Sequence, residues 1–323
     1  MSFVSNFRSF RAAAALGLAV GLSTALSLAS PAQAADKTIR IGYQKYGTLV
    51  LLKGKATLEE RLKPLGVQVK WSEFPAGPQL LEALNSGAID FGTTGEAPPI
   101  FAQAASTKLA YVGHEPPAPR GEAILVPKDS PIKTVAELKG KNVAFNKGSN
   151  VHYLLVRALE KAGVPYSEIK TSYLPPADAR AAFERGSVDA WVIWDPFLAA
   201  AQAATGARAL ADGTGLVANT QFFLADRSWA EGNSETLTAV FDELRKVEAW
   251  VEKDRKAAAA ELAPSVGIPG PVLEIALERQ ALGVKPMTPE IVAEQQKIAD
   301  VFYELKLLPK AIKISDAVVQ VTQ

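Results

Sequence analysis

Short stretches rich in Gly, Ser and Thr carry hydrogen-bond donors of the kind that hold a small oxyanion. Gly148-Ser149-Asn150 stands before a predicted helix, and Ser149 or Asn150 is well suited to cap its first turn. A helix start also leaves backbone N–H groups unpaired and carries partial positive charge, so the same residues suit an anion. Gly77-Pro78-Gln79 and Thr93-Thr94-Gly95 offer similar donors. These stretches predict an anion site that needs few formal cations, although capping alone also explains Ser149 and Asn150.

Two acidic residues, Glu96 and Asp195, occupy matching places in the two halves of the chain. Such a pair raises acid–base catalysis as one interpretation. Asp195-Pro196 has the form of a helix cap followed by Pro at the first helical position, and Glu96 lies two residues before Pro98-Pro99. We therefore assign both carboxylates mainly to helix capping, with ligand contact as the alternative. If an anion binds nearby, both should be turned away from it or tied to N–H groups.

Aromatic residues near the same stretches suggest an apolar wall for the organic part of a ligand. Trp191 and Trp194 belong to a predicted strand in which they fall on different sides unless both faces are buried. Packing in the core is the ordinary interpretation of either one, and Trp194, at the strand end beside Asp195, is the better candidate for ligand contact. Phe222, in a later strand-like stretch, is a second candidate.

Histidine and cysteine, the residues most often used as nucleophiles, bases or transition-metal ligands, are scarce or absent in this sequence. His114 and His152 are the only histidines, and the chain has no Cys. Ser149 and His152 stand three residues apart, but the sequence has no G-x-S-x-G elbow, and two isolated histidines do not predict a metal site. We expect no catalytic residue, no metal and no cofactor.

A repeated phrase indicates which elements position these residues. "LNSGAIDFGTTGEAPP" at 84–99 returns in altered form as "FERGSVDAWVIWDPF" at 183–197. Upstream, "IRIGYQKYG" and "KNVAFNKGSN" each alternate like a strand before a helix-like stretch. Gly87 and Gly186 occupy matching helix ends, where Gly accepts the left-handed conformation. The repeat predicts two α/β lobes, each with a parallel arrangement of strands covered by helices.

Two strand-like connectors join the predicted lobes. Ala123 to Val126 leads into the second half and 220–226 leads out of it, and a mainly helical tail follows. The simplest topology returns this tail to the first lobe and leaves a cleft between the lobes, with ligands at the carboxyl ends of the strands. We expect lobe 1 to comprise 35–125 and 223–323, and lobe 2 to comprise 126–222.

The first 34 residues are typical of a secretory signal. Arg8 and Arg11 precede an apolar stretch at 12–28, and Ala32-Gln33-Ala34 suits a signal peptidase, so we predict cleavage after Ala34. A transmembrane anchor is the alternative, but this stretch is rich in Ala, Gly and Ser. Cleavage would remove two of the 35 basic residues and none of the 34 acidic ones. The resulting balance does not favour nucleic acid or an anionic membrane, and the lack of Cys excludes a disulfide or a lipoprotein anchor.

Three long segments, at 71–105, 111–150 and 173–197, closely resemble bacterial aliphatic sulfonate-binding proteins. That family comprises periplasmic components of ABC importers with the two-lobed type II binding fold, two hinge strands and a helical C-terminal return. The resemblance implies that donors among Gln44, Gly77, Thr94, Gly95, Ser149 and Asn150 hold the sulfonate oxygens. It extends more loosely to binding proteins for taurine, nitrate and a thiamine-precursor pyrimidine, which leaves the ligand open.

We therefore expect a soluble, monomeric periplasmic protein that closes on an alkanesulfonate and presents it to a membrane permease. The alternatives are another small anion as ligand, an enzyme acting on a small anion in the same cleft, and a sensor that delivers ligand to a receptor. The candidate ligand-binding residues are Gln44, Gly77, Pro78, Gln79, Thr94, Gly95, Glu96, Ser149, Asn150, Trp194, Asp195 and Phe222.

Selectivity is expected to follow from the two carboxylates. Capping by Glu96 and Asp195 leaves Trp194 and Phe222 to face an uncharged tail, so affinity should rise with alkyl chain length and stay low for taurine. A Glu96 that faces the cleft would instead accept an ammonium group.

Overall fold

A computed structural model of the protein describes residues 37–106 and 108–320. The predicted signal and its cleavage after Ala34 lie outside these residues. No helix in the described ranges is both long enough and apolar enough to cross a membrane.

The first sheet contains five strands in the order β2-β1-β3-β10-β4. The strands β1 and β2 pair in parallel, as do β1 and β3, whereas β10 is antiparallel to both of its neighbours, β3 and β4. The bounds are β1 Lys37–Tyr43, β2 Val67–Glu73, β3 Phe91–Thr94, β4 Leu109–His114 and β10 Phe222–Asp226.

The second sheet repeats this pattern in the order β7-β6-β8-β5-β9. Here β6 is parallel to β7 and β8, and β5 is antiparallel to β8 and β9. The bounds are β5 Glu122–Val126, β6 Asn142–Phe145, β7 Lys170–Tyr173, β8 Ala190–Trp194 and β9 Arg208–Asp212.

Helices cover both sheets, and the chain ends in a helical region that packs on the first sheet. In chain order they are α1 Thr48–Lys55, α2 Thr57–Leu62, α3 Gly77–Asn85, α4 Ala97–Ala105, α5 Asn150–Lys161, α6 Pro176–Glu184, α7 Phe197–Thr205, α8 Arg227–Gly232, α9 Ser234–Lys253, α10 Arg255–Val266, α11 Gly270–Arg279 and α12 Pro289–Glu304. Residues of α9 and α10 share a buried apolar cluster with β1, α1 and β4. The predicted two-lobed α/β fold with a helical C-terminal return is confirmed.

The internal repeat is visible in backbone contacts as well as in sequence. In the first half, Asp90 exchanges two bonds with Arg40, since Arg40 N donates to Asp90 Oδ2 (2.8 Å) and Asp90 N donates to Arg40 O (2.8 Å). In the second half, Asn142 and Asp189 make the same exchange at 2.7 and 2.8 Å. Each aspartate therefore connects the start of one strand, β3 or β8, to the neighbouring parallel strand of its own sheet, β1 or β6.

The two glycines of the repeat end their helices as predicted. Gly87 has a φ of 76° and Gly186 a φ of 70°. The next residues, Ala88 and Ser187, donate their N–H groups to Ala83 O and Ala182 O across the last turns of α3 and α6. This bonding requires the left-handed conformation that Gly adopts without strain.

The connectors lie differently from the predicted lobe limits. The strand β5 pairs only within the second sheet and β10 only within the first, so the chain passes between the sheets at 115–121 and at 213–221. Residues 122–125, which were predicted to belong to lobe 1, thus pair with β8 and β9. The outer limits of the lobes stay a prediction.

Candidate functional site

The two halves of the molecule meet at the predicted donor stretches. A Cβ atom added to Gly95 would lie 2.9 Å from Cβ of Asn150, closer than real Cβ contacts allow. Gly95 follows β3 of the first sheet, and Asn150 begins α5, which packs on the second sheet. The segment that ends in Gly95 forms the first wall of this junction, and the start of α5 forms its second wall. The two walls can touch only because Gly95 has no side chain.

Gln44, Gly77 and Phe222 surround the end of β3 on the first wall. Gln44 Nε2 donates to Thr93 O (3.1 Å), and a Cβ on Gly77 would lie 3.1 Å from Thr94 Cβ. Phe222 is the register partner of Thr94 in the antiparallel pair. The hydroxyl of Thr94 donates to Gly95 O (3.0 Å). The structure thus brings Gln44, Gly77, Thr94 and Phe222 together.

Ser149 stands at the N-cap position of α5, but its hydroxyl donates to Asn146 O (2.6 Å) and does not cap the helix. Asn150 Nδ2 donates to Glu122 Oε2 and to Asn219 Oδ1, the latter at 3.1 Å. The alternative explanation, that the side chain of Ser149 or Asn150 caps α5, is therefore contradicted, since both side chains bond elsewhere. Within the first turn, His152 N donates to Ser149 O (3.0 Å), and the N–H groups of Asn150 and Val151 are left for another acceptor.

His152 holds the turn that precedes α5. Gly148 N donates to His152 Nδ1 (3.3 Å), so the ring proton lies on Nε2, which is 3.0 Å from the Tyr166 hydroxyl. Burial, with a smaller contribution from Lys147, lowers the pKa of His152 to about 4. The neutral imidazole is thus a structural support for Gly148 and Ser149.

Asp195 bonds the first turn of a helix and is also ion-paired, although Pro196, predicted at the first helical position, occupies the N-cap of α7. Its Oδ1 accepts from Ala199 N in the first turn of α7 (3.0 Å), and Arg279 Nη1 lies 3.3 Å from both carboxylate oxygens. Burial raises the pKa of Asp195 to about 6, although Arg279 and the Ala199 N–H group oppose this rise. Asp195 is fully occupied by protein partners in this arrangement.

Glu96 does not cap α4. It stands at the N-cap position without a side-chain bond to the helix. Its Oε2 accepts from Thr220 N (3.0 Å) in the segment 213–221, the second of the two segments that cross between the sheets. The expected tie to an N–H group is therefore present, but the predicted capping role was wrong. The other oxygen, Oε1, is buried without a partner. Burial raises the pKa of Glu96 to about 7.

Four further polar residues at this junction were not predicted from the sequence. Glu122 at the start of β5 is fully buried, and burial together with the charge of Glu96 raises its pKa well above the usual value. Tyr46 and Asn219 approach the backbone of Gly121, and Gln295 of α12 donates to Glu96 O (2.6 Å) and to the Tyr111 hydroxyl (3.1 Å). A glutamate that opens the apolar strand "EAILV" was a usable signal for Glu122.

A cavity of about 450 Å³ adjoins Glu96 between the two halves. Its walls are α5, the crossing segment up to Phe222, and α12. Of the predicted site residues, only Glu96 and Phe222 line it. Pro78 lines a separate cavity of about 370 Å³ with Gly148. Trp194 is buried against Phe197, with ring centroids 6.2 Å apart, and lies opposite Glu122 in the sheet.

The junction has the chemistry of a binding site. Its first wall carries Thr94 and Gly95 and its second wall the start of α5. Its cavity is lined by apolar and aromatic side chains together with Glu96, Glu294, Arg157 and Lys297. Within 37–106 and 108–320, His, Asp and Glu side chains form no group of three or more that could hold a metal ion. Convergent N–H and O–H donors beside an apolar cavity suit a small organic anion.

Comparison with known proteins gives extended matches. The sequence matches the NMT1-like family over residues 32–267. It is 48% identical over 305 residues to an aliphatic sulfonate-binding protein of Escherichia coli, covering 94% of this chain and 95% of that protein. A homologous protein of the same name from Bacillus subtilis is 32% identical over 285 residues, covering 87% of this chain and 86% of its own.

Solved structures agree with these matches. The alkanesulfonate-binding protein of Xanthomonas axonopodis pv. citri bound to MOPS superposes with a TM-score of 0.84 at 45% identity, covering 88% of this chain and 98% of that one. The periplasmic aliphatic sulphonate-binding protein of Escherichia coli gives 0.80 at 49% identity, with 89% and 93% covered. A desulfurization enzyme, at 15% identity and a TM-score of 0.64, shares the fold alone.

Proposed function

This chain belongs to the NMT1-like family and, within it, to the aliphatic sulfonate-binding proteins, and we propose that it binds alkanesulfonates in the periplasm for an ABC importer. The near-full-length similarity to relatives named for sulfonate binding carries this proposal. The two-lobed fold, with a donor stretch on each wall of one junction, supports it independently.

The sulfonate group is proposed to lie between Thr94-Gly95 and the first turn of α5. A sulfonate has three acceptor oxygens and one negative charge, which suits several neutral donors from both walls. The hydroxyls of Ser149 and Thr94 donate to backbone carbonyls in this structure, so main-chain N–H groups would supply the first bonds. Gln44 and Gly77 adjoin Thr94 on the same wall.

The alkyl tail is proposed to extend along apolar surface near this junction. Phe222 lines the cavity and lies opposite Thr94 in the sheet. The proposed role of Trp194 requires that the lobes separate, because its ring is buried in this arrangement. Pro78 and Gln79 begin α3 beside Gly77 and stay candidates for contact with the ligand.

Delivery of the ligand to a membrane permease is part of the proposal and is supported by membership of the sulfonate-binding proteins. We propose that the exported protein is a free monomer cleaved after Ala34, with no nucleic-acid partner. A hinge motion at the two crossing segments would open and close the junction.

An enzyme of the same fold is the second candidate, since a distant structural neighbour is a desulfurization enzyme. The relatives with high identity are named as binding proteins, which favours binding without turnover.

Titration calorimetry tests the proposal with methanesulfonate, butanesulfonate and nitrate, and mass spectrometry identifies the ligand released from purified protein. Tight binding of an alkanesulfonate that is recovered unchanged supports a binding protein. Conversion of the sulfonate would support an enzyme, and failure of every sulfonate to bind would contradict the proposed ligand class.

A further inference from the structure

The cavity beside Glu96 contains two buried oxygen atoms without hydrogen-bond partners. These are Glu96 Oε1 and Gln295 Oε1, and both residues are about 1% exposed and line the cavity. Gln295 Nε2 lies 2.6 Å from Glu96 O, so the amide oxygen of Gln295 is beside the same residue. Buried polar atoms normally have partners, and two unpartnered acceptors in one cavity indicate a missing donor.

The amide of Gln295 determines which kind of group is missing. Its nitrogen donates to Glu96 O and to the Tyr111 hydroxyl, and rotation of the amide by half a turn would place its oxygen against Glu96 O, a carbonyl that can only accept. Its oxygen can only accept. The partner of Gln295 Oε1 must therefore donate, and a carboxylate beside it favours a donor with positive charge.

The remaining walls combine aromatic and aliphatic surface with two ion-paired cations, because Arg157 and Lys297 line the cavity but bond Glu160 and Glu294. Tyr153 and Phe222 line the cavity, and aromatic faces attract ammonium groups. Ile291 and Val217 supply apolar surface. The cavity of about 450 Å³ lies between the halves, and Glu96 directly follows Gly95 of the proposed sulfonate site.

We propose that this cavity is a subsite for the ammonium group of an aminoalkanesulfonate, held by Glu96 Oε1 and Gln295 Oε1. The inference rests on the proposed sulfonate-binding function and extends it to a zwitterionic substrate class. It reverses the expectation of low affinity for taurine-like ligands, because that expectation assumed that Glu96 caps a helix.

A matched pair of ligands isolates this contact. 3-Aminopropanesulfonate and butanesulfonate have the same chain length and differ by an ammonium in place of a methyl group. The measured quantity is the ratio of their dissociation constants in calorimetry. Glu96→Gln should lower the preference for the amino ligand about 10- to 100-fold, the range for a hydrogen bond to a charged group. Glu184→Gln, which removes a carboxylate of α6 that does not line the cavity and whose partner Arg180 does not line it either, is the control and should leave the ratio unchanged.

A pH series on the unaltered protein gives a second readout. Titration of groups that contact the sulfonate changes both dissociation constants equally, so its effect cancels in their ratio. The alkylammonium group of the amino ligand stays charged up to pH 8. Preference for the amino ligand should rise between pH 6 and pH 8 as Glu96 ionises, and this rise should vanish in Glu96→Gln. The other titratable or charged groups facing Glu96 are Glu122, Tyr153, Arg157, Glu294 and Lys297.

The outcomes separate the inference from the proposed function. If butanesulfonate binds but Glu96→Gln and pH leave the ratio unchanged, the subsite is overturned and sulfonate binding stands. If neither sulfonate binds the unaltered protein, the proposed function fails and the subsite fails with it.

Discussion

At the scale of single residues, the close contact at the junction requires a residue without a side chain. Gly95 is the clearest case, because its missing side chain admits Asn150. The Asn150 side chain is itself bonded to Glu122 and Asn219, so it has no free space into which to move.

Gly95→Ala should therefore weaken sulfonate binding while leaving the fold intact, because a small opening of the lobes relieves the clash. The expected loss of binding free energy is about 1 to 3 kcal/mol, the usual cost of overpacking. Calorimetry with butanesulfonate measures it, and Gly270→Ala is the control because nothing lies within 4 Å of a Cβ there. Equal affinity in both variants would show that the walls need not meet.

Glu96 also predicts a pH dependence of stability. Its pKa is raised from 4.5 to about 7 in the folded protein, so the folded state holds a proton that the unfolded state has released. This contribution is fully present below about pH 4.5 and is lost as pH rises through 7. Glu122 and Asp195 act in the same direction, because burial raises the pKa of each.

Replacement of Glu96 by Gln should remove the contribution of Glu96 to the fall in unfolding free energy with rising pH. Between pH 5 and pH 8 the unaltered protein should lose about 2 to 3 kcal/mol more unfolding free energy than the variant. Urea unfolding at both pH values measures the difference. A variant with the same pH dependence as the parent would mean that Glu96 is hydrated in solution.

At the scale of elements, α11 links the helical C-terminal region to the second half of the molecule. It packs on α10 and on α7, and Arg279 at its end bonds both Asp195 and Gln202 (2.9 Å). Because Asp195 is completely buried and the Arg279 side chain only 24% exposed, this pair is shielded from solvent more than a surface ion pair.

Arg279→Gln should lower the unfolding free energy by about 1 to 3 kcal/mol, because it leaves a buried carboxylate without its cation. The effect should be larger at pH 8 than at pH 5, since the pKa of Asp195 is about 6 and the pair exists only when Asp195 is ionised. Chemical unfolding at both pH values tests this. Arg157→Gln, which breaks an exposed pair with Glu160, should change stability by less than about 1 kcal/mol.

Elements with a strong local pattern were predictable, and those without one were not. The repeat predicted both lobes because Asp90 and Asp189 directly precede the corresponding strands β3 and β8 and make the same bonds there. The helix α10 was not predicted, since its Ala-rich sequence, interrupted by Pro264, shows little separation of polar and apolar faces. The helix-like stretch that follows the first predicted strand, at 48–62, divides into two helices at Ala56. The φ of Ala56 is 53°, and no sequence motif predicts this conformation for an alanine.

The site was predictable only where donors follow strands of the repeat. Gly95 and Asn150, which contact one another in the structure, were predicted in this way. Glu122, Asn219 and Gln295 come from the crossing segments and from α12, outside the repeat, and Gln295 is about two hundred residues from Glu96 in sequence. Such partners arise from tertiary packing, so residue type and local spacing do not reveal them.

At the scale of the whole molecule, the proposed hinge motion at 115–121 and 213–221 would move one half against the other while each sheet stays intact. The proposed site then sets two separate requirements for a ligand, an anion held by both walls and a chain that reaches the cavity. Nitrate meets the first requirement and lacks the second, because it has no chain. Alkanesulfonates meet both, and their chain length varies the second requirement alone.

Affinity should therefore rise from methanesulfonate to butanesulfonate by up to about 0.8 kcal/mol for each methylene that is buried. The increase should stop once the chain fills the apolar part of the cavity beside Phe222 and Ile291. Calorimetry across the linear series measures the slope, and Phe222→Ala should flatten it by removing apolar surface while Thr94 and Gly95 still hold the head group. A flat series in the unaltered protein, or nitrate binding tenfold more tightly than butanesulfonate, about 1.4 kcal/mol, would show that the cavity does not receive the chain and that the ligand is a simpler anion.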